Sequence, residues 1–324
     1  MYSNTAAFKN KPVAAAPPGA QGLIDQVGVD AIAAIGFKKL RSAYTGDCIQ
    51  VRNVNSGLTL DIGFDANGDV DTAAIASFCG LYNGTISIWY DQSGNGNDFS
   101  AANTPNAGTT DKEPLIYFNQ AVTTDAGGNV AAYSIDPGST AAQGTRFMNS
   151  PSPMSARQDP TITMFAQVNY FNGNGIMQTE QGNGYNLGTY GSGSPPNSLR
   201  IIRSNGQNLV VKATVNWDGT DSWASTVFYC DECGTNTSKW WLTSYLNNAT
   251  FEDSFASTGF NATTFDDVSI FRYNLATSLY QNCAISGWIY WDLPDATTLS
   301  SQEVYDLYDW VETNLGYTNN APTP

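Results

Sequence analysis

From residue 85 onward the chain is built of short apolar runs separated by small polar residues. "TISIWY", "EPLIYF", "TITMFAQVNYF", "GYNLGTY", "SLRIIR", "NLVVKATV", "STVFYC", "WWLTSYL", "DVSIFRY" and "AISGWIYW" are rich in β-branched and aromatic residues. Gly, Asn and Ser stand between them. Runs of this length, broken by turn residues and without intervening helical periods, predict antiparallel strands in two packed sheets. "CIQVRNV" and "LTLDIGF" read as two earlier strands, and "DANGDVD" then turns the chain. Residues 23–41 space Leu23, Val27, Ile32, Ile35 and Leu40 at roughly helical intervals, with Gly28 and Gly36 as breaks, and predict one or two short helices. One helix is clear at the other end. Ser300 and Glu303 form the S-x-x-E capping pattern, and Val304, Leu307, Tyr308, Val311 and Leu315 then share one face before Gly316. No internal repeat and no second domain boundary stand out.

The first 20 residues, dominated by Ala, Pro and Gly, cannot build a core and read as an arm. The predicted organisation is therefore an arm and short helix over 1–37, a sandwich over 38–318 and a tail over 319–324. The fold class is mainly β: a two-sheet antiparallel jelly-roll sandwich with short N-terminal helices and a C-terminal helix.

Composition narrows the partners. The 324 residues carry 29 acidic and 14 basic side chains, a net charge of −15. A chain this acidic repels nucleic acid and anionic membranes. No run of about 18 apolar residues is present to cross a bilayer, and the N-terminus lacks the charged and apolar regions of a secretion signal. The absence of histidine excludes Ser-His-Asp and Cys-His catalysis.

Three motifs bear chemistry. In "WYDQSGNGND", Asp91, Ser93, Asn95 and Asn97 can bond nearby backbone, while Gly94 and Gly96 permit positive φ. Turn chemistry explains every residue type there, so the favoured reading is a tight corner; the alternative makes Asp91 a sugar or calcium group. In "DANGDVD", Asp65, Asn67, Asp69 and Asp71 alternate as at the start of a calcium loop, but Gly68 stands fourth rather than sixth and Ala76 occupies the place of the closing Glu. Asn67-Gly68 favours a plain hairpin turn, and no cofactor is expected. Cys230 and Cys233, in "CDEC", lack the further ligands of a zinc site; a local disulfide or two plain thiols fits better. Trp217, Trp223, Trp240 and Trp241 lie among amides and carboxylates that suit sugar faces and hydroxyls, although core packing is the default role of any one tryptophan.

The ordered set "KKLRSAYTGDCIQVR", "LDIGF", "DTAAIASF" and "WYDQSGNGND", within residues 38–98, resembles the N-terminal portion of a concanavalin A-like, or laminin-G-like, module. This module is shared by the catalytic domain of fungal α-L-arabinofuranosidase B and by phage virion proteins. The resemblance implies a jelly roll and admits two functions. In the enzymes a Glu serves as nucleophile and an Asp as acid/base. The stretches that resemble their surroundings, "GYNLGTYG" and "SIFRYNLATS", place Asn186 and Asn274 there, with Glu180 six residues before Asn186. An amide can fill neither role.

The expected function is accordingly a non-enzymatic phage structural protein: a capsid decoration, head-fibre or tail-fibre component located in the virion. It would dock through its arm to a major capsid or tail protein, assemble as a homo-oligomer, with a trimer as the guess, and bind host surface glycan. The alternatives are a glycoside hydrolase of arabinofuranosidase type and a cellular lectin-like adhesin.

Overall fold

The computed structural model describes residues 21–100, 113–125, 127–137, 146–151, 154, 161–169, 175–180, 185–190, 198–203, 208–209, 223–231, 238–244, 250–255, 268–271, 283–294, 297 and 299–316. Three helices are described: Leu23–Val27 (α1), Thr72–Cys79 (α2) and Ser301–Leu315 (α3). The strands in chain order begin with Ala31–Gly36 (β1), Ile49–Asn53 (β2), Thr59–Ile62 (β3), Gly84–Trp89 (β4), Phe99–Ser100 (β5), Leu115–Phe118 (β6), Ala121–Val122 (β7), Ala132–Tyr133 (β8) and Met148–Asn149 (β9). They continue with Ile162–Asn169 (β10), Gly175–Glu180 (β11), Tyr185–Tyr190 (β12), Ser198–Arg203 (β13), Asn208–Leu209 (β14), Trp223–Asp231 (β15), Ser238–Ser244 (β16), Thr250–Phe255 (β17), Val268–Ile270 (β18) and Cys283–Trp291 (β19).

The described pairings are all antiparallel and resolve into two layers. One layer runs β17-β16-β15-β10-β19-β1. The other runs β3-β2-β4-β5-β9-β18-β11-β12-β13-β14. β6 and β8 link the layers, since β6 pairs with β4 and β8, and β8 pairs with β19. The architecture is the two-sheet antiparallel sandwich that the run pattern predicts.

Between the layers lies the main core. Ile49, Val51, Ile86 and Trp89 meet Ile35, Met164, Ile285, Trp288 and Tyr290 there. A second core lies on the outer face of the first layer, where Ala34, Phe165, Ile289 and Trp291 are covered by α1 and α3. β19 is therefore buried on both faces along all nine residues, which explains its nearly continuous apolar sequence.

A bulge reconciles the two faces of β19. Phe165 pairs with Gly287 but Ala166 pairs with Ile285, so Ser286 is the extra residue. Before it, Cys283 and Ile285 point to the main core; after it, Trp288 and Tyr290 do. Without the bulge one of these pairs would face the helices instead. Gly287 is required by space: a Cβ there would stand 2.8 Å from the Phe165 ring and 3.2 Å from the Ile35 carbonyl.

α3 starts and stops as its sequence predicts. The Glu303 amide donates to the Ser300 hydroxyl at 3.3 Å, and the Ser300 amide donates to Glu303 Oε2 at 2.6 Å. Gly316 takes the left-handed conformation that ends the helix. Its buried face carries Val304, Leu307, Tyr308, Val311 and Leu315, joined by Trp310.

The N-terminal segment departs from expectation. Only Leu23–Val27 is helical; "AIAAIG" is strand β1, paired with β19 from Ala31 to Gly36. Its small residues let helices and sheet approach from one side while Ile32 and Ile35 fill the main core from the other. The sandwich thus begins before residue 37, and β1 is not part of a separate docking arm. Gly287→Ala is expected to destabilise the fold by about 1–3 kcal/mol through overpacking, read as a lower urea midpoint at unchanged m-value.

Candidate functional site

The "WYDQSGNGND" corner comes directly after β4 and closes the free edge of β1. Asp91, 3% exposed, is its centre. Its Oδ1 accepts from the Ala34 amide at 2.8 Å and the Ser93 amide at 2.9 Å. Its Oδ2 accepts from the Ser93 hydroxyl at 2.6 Å and the Asn97 amide at 2.9 Å. Gln92 behaves as a substitute strand residue. Its amide donates to the Ala34 carbonyl at 2.6 Å, and its side chain spans the Leu40 amide and the Gly36 carbonyl at 2.7 Å each. Asn95 and Asn97 donate to the Ile32 carbonyl at 3.0 and 2.7 Å. Gly94 and Gly96 supply φ of 93° and 74°. Each polar side chain from Asp91 to Asn97 is turned to backbone, so the corner leaves Asp91 no lone-pair direction for a ligand.

Asp98 sits beside this carboxylate and accepts the Asp91 amide at 2.8 Å. Burial, and then the negative Asp91, push its carboxyl above the ordinary range. The rim nearby is electronegative as well. Tyr90 donates to Asp61 at 2.7 Å, and burial together with that bond holds its phenol well above the usual value.

The four residues weighed for calcium are engaged locally. Asp65 Oδ1 accepts the Asn67 and Asp69 amides at 2.8 and 3.0 Å. Asp69 pairs with Lys38 at 2.5 Å, and Asp71 caps α2 by accepting the Ala74 amide at 2.9 Å. Among the described residues no three acidic, Cys or His side chains gather as a metal site. The turn has a twin that no sequence motif announces. "FDANGDV" (64–70) and "TDAGGNV" (124–130) share one hydrogen-bond pattern. The Asp amide donates to the Asx carbonyl four residues on, at 2.7 and 2.8 Å, and the Asp carboxylate accepts that residue's amide at 3.0 and 2.9 Å. Gly68 and Gly128 have φ of 81° and 84°.

The remaining sequence candidates are scattered. Trp223 opens β15, and Trp240 and Trp241 occupy consecutive positions of β16, opposite Cys230 and Tyr229. Trp217 and Cys233 lie outside the described residues. Cys48, Cys79 and Cys283 are buried free thiols, and burial raises all three, Cys79 to about 11. Thiols held this far from ionisation are poor nucleophiles.

The hairpin of β11 and β12 fixes where these positions stand. Thr179 pairs with Asn186, so Glu180 is one register step beyond it and, by the alternation of the strand, belongs to the other face of the sheet. Glu180 also pairs with Val268 of β18. Asn274 lies outside the described residues.

Residues 25–174 match the family model described as "Alpha-L-arabinofuranosidase B, catalytic". A probable α-L-arabinofuranosidase B of Aspergillus flavus is 33% identical over 158 residues, 46% of this chain and 31% of that protein. An α-L-arabinofuranosidase of Hypocrea jecorina is 31% identical over 149 residues, 45% of this chain and 29% of its own length. The matched part thus spans about a third of the curated relatives' length. Among solved structures, a mutant GH54 α-L-arabinofuranosidase soaked with 4-nitrophenyl α-L-arabinofuranoside superposes with a TM-score of 0.64 at 14% identity, covering 93% of this chain and 67% of that one. An arabinofuranosidase complexed with arabinofuranosyl-α-1,2-xylobiose gives 0.63 at 14% identity, covering 92% and 65%. The sequence matches link the N-terminal half of the chain to the α-L-arabinofuranosidase B catalytic domain, and the structural matches extend the likeness in fold over the rest.

These matches overturn the expectation of a non-enzymatic virion protein, and with it the capsid or tail partner and the location on a phage particle. Of the two families that share the module, the matches support the enzymes. The contrary expectation rests on the amides Asn186 and Asn274, the second of which lies outside the described residues.

Two substitutions separate the roles of the paired acids. Asp91→Asn sets an NH2 against buried amide or hydroxyl donors and is expected to cost about 3 kcal/mol. Asp98→Asn keeps an acceptor for the Asp91 amide and removes the repulsion. Because the folded Asp98 carboxyl is raised, its stabilising contribution is complete below the ordinary value of 3.8 and is lost as pH rises through the folded value. Asp98→Asn is therefore expected to melt higher than the parent at pH 7, with the advantage vanishing near pH 3.5, as followed by thermal unfolding across that range.

Proposed function

We propose that this chain is a glycoside hydrolase that removes α-L-arabinofuranosyl groups. The observation that carries the reading is the match of residues 25–174 to the α-L-arabinofuranosidase B catalytic model. The superposition over 93% of the chain supports a shared scaffold, and Glu180 provides a carboxylate position on a central strand of the second layer. With no histidine in the sequence, proton transfer to and from the glycosidic oxygen falls naturally to carboxyl groups. A retaining mechanism needs two of them about 5 Å apart: one attacks the anomeric carbon, and the other protonates the leaving oxygen and then activates water. We assign Glu180 to this pair.

The test is release of 4-nitrophenol from 4-nitrophenyl α-L-arabinofuranoside. Steady turnover is expected. Glu180→Gln is expected to lower kcat by about 10²–10⁴-fold while the melting temperature stays within a degree or two of the parent. Absence of turnover by folded protein would refute the hydrolase reading. Turnover that survives Glu180→Gln would leave the reading intact and remove only the residue assignment.

A further inference from the structure

The twin turns face each other across a cavity of about 240 Å³ that also touches the β19 bulge and the C-terminal half of α3. At roughly 30 Å³ per water the space holds about eight waters, enough for one sugar ring. A second hollow of about 170 Å³ lies on the other side of the Lys38–Asp69 pair and shares both residues and Trp310 with the first. The ion pair therefore bridges a longer cleft. The described residues that line the two hollows come from other elements than β11 and β12.

The walls mix donors and acceptors. Asp65 and Asp69 present carboxylate oxygens, and Lys38 presents an ammonium with one donor committed to Asp69. Asn129, whose side-chain amide donates to the Leu315 carbonyl at 3.0 Å, and Ser286, whose hydroxyl donates to the Phe165 carbonyl at 3.3 Å, add polar residues from the second turn and the bulge. Phe165 and Trp310, with ring centroids 6.3 Å apart, form the apolar side. Asp65 and Asp69 against Lys38 and Lys39 leave the two hollows together neutral, in a protein of net charge −15. That overall charge disfavours phosphates and other anions. A neutral ligand with hydroxyls that both donate and accept, and with one C–H face, matches these walls.

We propose that this cleft is a second, non-catalytic binding site for a neutral sugar unit, with the smaller hollow leaving room for the adjoining unit of a glycan chain. The site is independent of the Glu180 assignment and of hydrolysis. Thr72, exposed at the first position of α2, lines the mouth of the larger hollow, where a bulky side chain closes it without entering the core.

The experiment is calorimetric titration of the full chain with L-arabinose, alongside Thr72→Trp and Lys38→Met. Saturable binding at millimolar Kd is expected, weakened at least tenfold in each variant, with the melting temperature and 4-nitrophenyl arabinofuranoside turnover of Thr72→Trp unchanged. Binding that persists within twofold in Thr72→Trp would place the sugar elsewhere and overturn the proposal. No heat with the parent up to 100 mM sugar would overturn it too. Variant-sensitive binding without any turnover would uphold this site and refute the hydrolase reading instead.

Discussion

One buried carboxylate ties the two layers together. Asp91 leaves the end of β4 in one sheet and accepts four hydrogen bonds, one of them from the Ala34 amide of β1 in the other. Beside it, Gln92 exchanges backbone and side-chain bonds with β1 and the chain just after it. An open edge on β1 would leave buried N–H and C=O groups without partners, because α1, α3 and the main core cover both its faces. The corner supplies those partners from side chains where a further strand would supply them from backbone. The role of the sequence's most unusual stretch is therefore mechanical: its polar side chains bond the backbone of β1 and of their own corner.

That constraint orders the rest. With β1 held, β19 sits between β1 and β10 and is buried on both faces. Its bulge at Ser286 lets one strand serve two cores, and Gly287 gives the Phe165 ring its place. Ser286 of the same bulge also lines the hollow between the twin turns and α3.

Much of this is legible in the residues. Alternating runs and turn residues are enough for a two-layer antiparallel sandwich, and the capping pattern and apolar face of 300–316 locate α3. "AIAAIG" reads as helix because a short run of small and branched apolar residues has no period that separates a buried strand from a helix. The twin turns are hidden because the shared pattern is seven residues long and differs at the first, fourth and sixth positions. For function, the obstacle is that the fold is shared by enzymes and by proteins without catalysis. Weight placed on two amides, Asn186 and Asn274, favours the non-enzymatic member, whereas the match of residues 25–174 favours the enzymes.

Hydrolysis is tested most directly by incubating the folded protein with arabinofuranosyl-α-1,2-xylobiose and separating the products by chromatography. An arabinofuranosidase releases free arabinose and xylobiose in equal amounts, and that is the expected result. An intact trisaccharide after prolonged incubation, with the protein still folded, would contradict it.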